Sequence, residues 1–431
     1  MNSFPNRGNF LPSAAWQNTP RRVSGLSGWW KQGTGITSSS ERVSQWDDQS
    51  GNARHLLQAT GANQPIYLPW SGANYLWLPG VASNIVSTPS KAITGNFTIT
   101  LDFELQDWTP GSTVLISQKF TGTSGFKVFI NTNGKPQLNI GDGASEGGAA
   151  AVTAPTWTDG TRHTLKIIWV DGASGSATFF YDGVQSGSAV ALNKTLANAS
   201  AVFSIGDALS PNAKVYSASI TNSASTTYYS VDFTQVAEGT TSITQGGDTY
   251  TVNASGAKQA QIVGSAQVVG DGAAYFMRAS YTQAQPVTRF FLARRNLWSI
   301  TTAARYTTDG VGANSAAILD ATSTPSTRIS AGTPVAENTG MTLSAWHAVA
   351  AVFNGASSSY KIDANAATTG NASTTTTGGL TIFADGGTPT ASTFSASQTK
   401  EIIEYNRALS ASEVNQVMRY LSRIGNLGLA L

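Results

Sequence analysis

Polar and apolar residues alternate along much of this chain. From Phe97 to Leu105 the alternation is nearly unbroken and places Phe97, Ile99, Leu101, Phe103 and Leu105 on one face, as a half-buried strand requires. The same period of two recurs over residues 126–130, 165–170, 178–181, 202–205, 215–220 and 228–233. Between these stretches lie Asn131-Thr132-Asn133-Gly134, Val170-Asp171-Gly172 and Tyr181-Asp182-Gly183, built from residues that accept positive φ at little cost. Many short strands joined by such turns predict an all-β chain of antiparallel sandwiches. One helix stands out at the C-terminus. Ser410-Ala411-Ser412-Glu413 is a capping box, Leu409 and Val414 form a hydrophobic staple, and Val414, Val417, Met418, Leu421 and Ile424 follow at helical spacing. Gly425 is its natural stop.

A second pattern is internal repetition. Trp157, Arg162-His163-Thr164-Leu165, Val170-Asp171-Gly172-Ala173-Ser174 and Tyr181-Asp182 find counterparts in Trp346-His347-Ala348-Val349, Phe353-Asn354-Gly355-Ala356-Ser357 and Ile362-Asp363. Each copy gives Trp, His, a strand, an (Asp/Asn)-Gly-Ala-Ser turn, a strand and Asp, which predicts two copies of one sandwich. The expected division is a first sandwich over 41–235, a linker over 236–257 and a second sandwich with the helix over 258–431. Residues 1–40 carry Pro5, Pro12, Pro20, Arg21-Arg22 and serines at 38–40, and are expected to form an arm with little core of its own.

Composition narrows the function classes. Of 431 residues only 12% are charged, and 26 Lys+Arg nearly balance 24 Asp+Glu, so the basic excess of a nucleic-acid binder is missing. Ser/Thr-rich outward strand faces account for much of the low charge. Aromatics at 10%, with 11 Trp, argue against disorder. The absence of cysteine removes disulfides, thiol nucleophiles and Cys-ligated metals. No apolar run reaches the ~18–20 residues of a membrane helix, and Met1 to Gly8 lacks the apolar region of a signal peptide. The expectation is a protein made in a cytoplasm, without membrane insertion.

Three separated segments resemble the laminin-G-like, concanavalin A-like sandwich domains. Val43-Ser44-Gln45-Trp46-Asp47-Asp48-Gln49-Ser50-Gly51-Asn52-Ala53-Arg54-His55, with Gln58 and Gln64-Pro65, looks like their opening segment. The Trp-His strand pair is similar to their middle, and the stretch from Lys400-Glu401-Ile402-Ile403-Glu404-Tyr405 to Glu413 is similar to their closing strand and helix. Tyr75-Leu76-Trp77-Leu78-Pro79-Gly80-Val81, Ser87-Thr88-Pro89 and Thr249-Tyr250-Thr251-Val252-Asn253 resemble segments of bacteriophage virion proteins of this type. The resemblance implies two tandem antiparallel sandwiches and a structural, non-enzymatic virion protein, a tail fibre, tail appendage or capsid-decorating module. It further implies attachment to other virion proteins through residues 1–40, host-surface glycans as candidate ligands, and a homo-oligomer. A carbohydrate-binding adhesion module outside a virion and a secreted polysaccharide hydrolase are the alternatives.

Sandwich glycosidases similar to this family place an acid-x-acid-x-x-acid pattern on one strand, and Asp102-Phe103-Glu104-Leu105-Gln106-Asp107 has that spacing with Asp at both outer positions. Glu401 and Glu404 lie three apart on a strand, face opposite ways and cannot form an acid–base pair. No Gly-x-Ser-x-Gly elbow exists; His163 and His347 start equivalent strands, and His55 belongs to the opening segment. Gly141-Asp142-Gly143-Ala144-Ser145-Glu146-Gly147 lacks the Lys and the following helix of a phosphate loop. No cofactor is expected beyond calcium, which the resemblance admits at a loop rim. Asp142, Asp171, Asp207 and Asp309 are the loop carboxylates, none of them in an EF-hand-like string. Trp29-Trp30, Trp70, Trp108 and Trp298 are the tryptophans least tied to a core pattern. Neither a catalytic residue nor a specific glycan-binding or metal-binding residue follows.

Overall fold

A computed structural model describes residues 19–70, 72–109, 111–118, 123–198, 201–207, 209–298, 304–308, 316–320, 326–333, 335, 340–376, 378–387, 389 and 393–431. The class is the expected one: antiparallel β-strands, with an α-helix over Ala411–Ile424, a short helical turn at Thr19–Arg22 and 3-10 turns at Gly61–Asn63, Phe233–Gln235 and Gly355–Ser357 among the described residues. The chain divides into two compact units, Leu68–Ala266 (the inserted unit) and Met1–Tyr67 with Gln267–Leu431 (the terminal unit).

The inserted unit is a two-sheet sandwich of an eight-stranded and a nine-stranded sheet, counted over the described residues. At the centre of the larger sheet, Phe97–Leu105 lies between Arg162–Val170 and Asn212–Asn222. Its inward residues Phe97, Ile99, Leu101, Phe103 and Leu105 meet Phe126, Val128, Ile130, Leu138 and Ile140 of the other sheet in one core. The turn at Asp182-Gly183 has φ of 50° and 82°, the pair of positive values that a two-residue hairpin with right-handed strand twist demands.

The terminal unit strings its strands into one hydrogen-bonded network that folds over, so that Met277, Ile318, Ile329 and Ile382 share a core with Phe291, Val349, Ile362 and Ile402. Its centre repeats the arrangement above: Val287–Arg295 lies between Trp346–Phe353 and Ser397–Tyr405. These three strands are covered on both faces. The helix Ala411–Ile424 lays Val414, Val417, Met418, Tyr420 and Leu421 on Phe290, Leu292, Ala348, Ala350, Ile403 and Tyr405, forming a second core layer. The capping box is made, with the Ser410 hydroxyl accepting from the Glu413 N–H and the Glu413 carboxylate accepting from the Ser410 N–H at 2.9 Å.

Three expectations are corrected. The stretch expected as a linker is sheet: Ser242–Gln245 pairs with Asp248–Asn253, which pairs with Ile85–Thr88, and Ile243, Tyr250 and Val252 are core residues. Its outward Ser and Thr residues gave it a linker's composition. The division over 41–235 and 258–431 also separates what the fold joins, because residues up to Tyr67 belong with Gln267–Leu431. Nor are residues 19–40 a free arm. Leu26–Trp30 pairs with the closing strand Ser397–Tyr405, and Trp29 and Trp30 are fully buried, one in each core layer. Residues 1–18 lie outside the described residues.

Candidate functional site

The opening segment folds around one carboxylate. Asp48 Oδ1 accepts from the N–H groups of Trp29 and Ser50, both at 2.8 Å, and Oδ2 accepts from the Ser50 hydroxyl at 2.7 Å and the Arg54 N–H at 3.1 Å. Asn52 donates to the Ser27 carbonyl at 3.2 Å, and Ala53 turns the chain with φ of 54°. These Asp48 and Asn52 bonds are local or to the first strand, so a short polar sequence suffices to set Arg54 and His55 side by side.

Beneath the loop sits Glu404, fully buried on the closing strand. Its Oε2 accepts from Arg289 Nε at 2.8 Å, its Oε1 accepts from Arg54 at 3.0 Å, and the Tyr281 hydroxyl lies 2.9 Å from both oxygens. Burial first, and then the Glu404 charge, push the Tyr281 hydroxyl well above its ordinary value, so Tyr281 stays a hydrogen-bond donor. The Arg54 guanidinium also donates to Gln283 at 2.5 Å and stacks 4.0 Å over the Tyr281 ring. A buried carboxylate between two guanidiniums is the arrangement that repays desolvation, since each charge keeps a hydrogen-bonded partner.

Above this foundation Ala53, Arg54, His55, Leu57, Arg278 and Ser280 line an open pocket of about 340 Å³. Arg278 is fixed from the side, with Nε 3.1 Å from Thr381 Oγ1 and one terminal nitrogen 2.7 and 2.9 Å from the Gly386 and Gly387 carbonyls. Burial lowers its guanidinium from the ordinary value, and the Asp385 charge works against that. His55 Nδ1 lies 3.0 Å from Asp47 Oδ1. Leu57, half exposed, supplies an apolar wall. Such a pocket can hold a small polar ligand by cationic donors and one hydrocarbon contact. No carboxylate stands among its lining residues.

The candidate carboxylates are engaged wherever they fall among the described residues. Asp102 is held by both arms of Arg162, at 2.8 and 2.6 Å, and Glu104 pairs with Lys214 and accepts from Gln106 at 3.0 Å. Asp107 only closes a turn onto Thr109. Glu401 and Glu404 do face opposite layers: Glu401 accepts from Trp29 Nε1 at 2.6 Å and from the Tyr420 hydroxyl on the helix side. Burial raises the Glu401 carboxyl above its ordinary value despite those bonds. Of the loop aspartates, Asp142 is salt-bridged to Lys194 at 2.7 Å, which, with the Ser145 and Ala144 N–H groups, holds it far below the usual carboxylate range. Asp171 accepts from the Leu196 N–H, Asp207 accepts from the Ser117 hydroxyl, and Asp309 lies outside the described residues. No group of three or more metal-ligating side chains occurs among the described residues. Gly141–Gly147 spans a hairpin between Pro136–Asp142 and Glu146–Ala150.

The repeat histidines share one device. His163 Nδ1 meets Asp182 at 2.9 Å and Nε2 meets the Thr161 hydroxyl at 2.6 Å; His347 Nδ1 meets Asp363 at 2.6 Å and Nε2 meets the Thr342 N–H at 3.0 Å. Burial raises the Asp182 carboxyl, but the Thr164 N–H, His163 and Trp157 outweigh it and hold it below its ordinary value. A string of the triad type that occurs at the same strand start in both units is a hairpin clasp. Of the tryptophans, Trp29, Trp30 and Trp108 are core, Trp298 packs on a core, and Trp70 is about half exposed. Sequence reasoning assigned Arg54 and His55 to the opening motif for fold alone and passed over Leu57, Arg278 and Ser280. An Arg at the polar position of a strand reads as solvated.

No family model matches the chain, and no curated protein matches it in sequence. Among solved structures, domains LG4-5 of the mouse laminin alpha1 chain match at 9% identity and a TM-score of 0.31, over 79% of this chain and 92% of that one. The LG1-3 region of the laminin alpha2 chain matches at 9% identity and 0.31, over 78% of this chain and 62% of that one. A heptameric SAP-like pentraxin from Limulus polyphemus matches at 10% and 0.27, over 34% of this chain and 75% of that one. Identities and scores this low carry no argument about ligand or activity.

Proposed function

We propose that this chain is a non-catalytic glycan-binding protein of a tailed-bacteriophage virion, and that the Arg54–His55–Arg278 pocket is its binding site. The observation that carries the binding reading is the pocket itself: donors fixed in advance by Glu404, Asp47, Thr381 and two carbonyls, beside the half-exposed Leu57. Groups held rigid before the ligand arrives lose little entropy on binding. A binding role over a hydrolytic one is supported by the engagement of Asp102 and Glu104 with Arg162 and Lys214, which leaves no acid–base pair on that strand. The virion reading is supported by the likeness of Tyr75 to Val81, Ser87 to Pro89 and Thr249 to Asn253 to virion segments. All three include strand in the inserted unit. A homo-oligomer follows from virion symmetry.

A glycan array probed with the full chain, wild type and Arg278→Met, tests the binding role. Signals that disappear in the variant are expected, and an array blank for both would overturn it. Peptide mass spectrometry of purified virions tests the location, and a virion without this chain would refute it.

A further inference from the structure

The donors in the pocket are unevenly spent. Arg278 gives Nε and one terminal nitrogen to three neutral oxygens, and no carboxylate hydrogen-bonds to it among the described residues. Arg54 gives one terminal nitrogen to Glu404 and Gln283, and its Nε and second terminal nitrogen have no partner among the described residues. His55 Nδ1 meets Asp47 Oδ1 and the Asp48 N–H, leaving Nε2 in the same position. No Asp or Glu lines the cavity. Glu404 is already shared by two guanidiniums, and Asp385 reaches Arg278 only through space. A half-buried guanidinium without an anionic partner gains most from a ligand that carries one, because the charge-assisted pair forms in a partly water-excluded place.

We infer that the pocket selects a carboxylate-bearing sugar residue, its carboxylate received by Arg278 and Arg54 and its ring laid against Leu57. The inference rests on the glycan-binding reading and narrows it to one substrate class. A carboxylate suits these donors because Arg54 keeps its Nε and second terminal nitrogen, paired in one plane, and Arg278 keeps its other terminal nitrogen. The volume, near 340 Å³, is at the small end for ligand pockets of roughly 300–1,000 Å³ and admits a single ring with its substituents.

The test is ligand-observed NMR titration of the full chain with the methyl glycosides of glucuronate, galacturonate and N-acetylneuraminate. Each is compared with its own methyl ester, and galactose-6-sulfate is a further arm. At least one free acid is expected to bind, its ester at least tenfold more weakly, and the acid's affinity should fall as salt rises. Arg278→Met should remove the preference for acid over ester while leaving the unfolding midpoint in place, and Arg278→Lys should retain part of it. Should Arg278→Met fail to fold, the acid–ester comparison on the wild type decides alone. Equal binding of acid and ester overturns the anionic inference and leaves the glycan reading standing. Tighter binding of galactose-6-sulfate overturns the assignment to carboxylate. Binding of an acid that a folded Arg278→Met variant does not alter places the ligand elsewhere and overturns the site. No binding by any acid overturns the inference, and the glycan array then decides the broader reading separately.

Discussion

In the inserted unit Ile99 faces Ile220 across adjacent central strands; at the equivalent place in the terminal unit the pair is Arg289 and Glu404. The equivalence follows from the registers, since His163 opposes Phe103 as His347 opposes Ala293, and counting inward from each leads to these positions. All four residues are buried. One platform therefore accepts either an apolar pair or an ion pair, and the sandwich does not itself require the charges. What differs is the surroundings. In the terminal unit Arg54 and Tyr281 converge on the carboxylate, and the pocket is built over it. Its central strands are also buried on both faces, because the helix covers the side that the inserted unit's Phe97–Leu105 strand keeps partly solvated. The charged pair is best understood as the footing of Arg54. The histidine clasps differ more mildly. A backbone N–H at His347 Nε2 fixes that ring as the Nδ1–H tautomer, whereas a hydroxyl at His163 Nε2 can donate or accept.

The largest effect should come from breaking the ion pair on one side. Glu404→Ile leaves Arg289 buried without its carboxylate and is expected to cost about 3–5 kcal/mol, read by urea denaturation of the full chain. Adding Arg289→Ile, which copies the inserted unit's pair, should recover most of that loss while ligand affinity stays low, because Arg54 has lost its anchor. A double variant as unstable as the single one would mean that the fold needs the charges. Removing the helix's contact should rank next. Leu421→Ala is expected to cost about 2–5 kcal/mol, with a cavity between helix and sheet.

Smaller effects follow at the helix start and the open sheet face. Ser410→Ala should cost about 0.5–2 kcal/mol through the lost cap. Arg407, with the Ser410 N–H and hydroxyl, pulls the Glu413 carboxyl down from 4.5 to about 2. A depressed carboxylate stabilises the fold above its unfolded value and loses that contribution as pH falls through its folded one. Stability should therefore decline between about pH 4.5 and 2, and Glu413→Gln should begin lower at neutral pH and decline less over that window. Asp102→Asn breaks a half-exposed pair on the inserted unit and should cost no more than about 1 kcal/mol. A loss as large as that of Glu404→Ile would erase the contrast between the two units.

Much of the fold is written in local pattern. The alternation at Phe97–Leu105, the Asp182-Gly183 turn and the Ser410–Glu413 box each depend on neighbours in sequence, and each stands where the pattern puts it. The nesting of one unit within another depends on pairings hundreds of residues apart, such as Leu26 with Tyr405 and Arg54 with Glu404, which no local window contains. Trp29-Trp30 in a Gly/Ser-rich stretch looked like an arm for that reason. The pocket was hidden twice over: Arg54 and Arg278 come from segments far apart in sequence, and a buried glutamate on a closing strand gives no sign of which arginine it holds.

The nested arrangement is the premise on which the pocket depends, and the most direct test is cooperative unfolding of two excised segments. Residues 68–266 alone should unfold in one cooperative thermal transition. Residues 41–235 should not, since they lack the strands Ser242–Gln245, Asp248–Asn253 and Gln261–Val263 and expose the core around Tyr250 and Ile262. A cooperative transition in 41–235 and none in 68–266 would contradict the account.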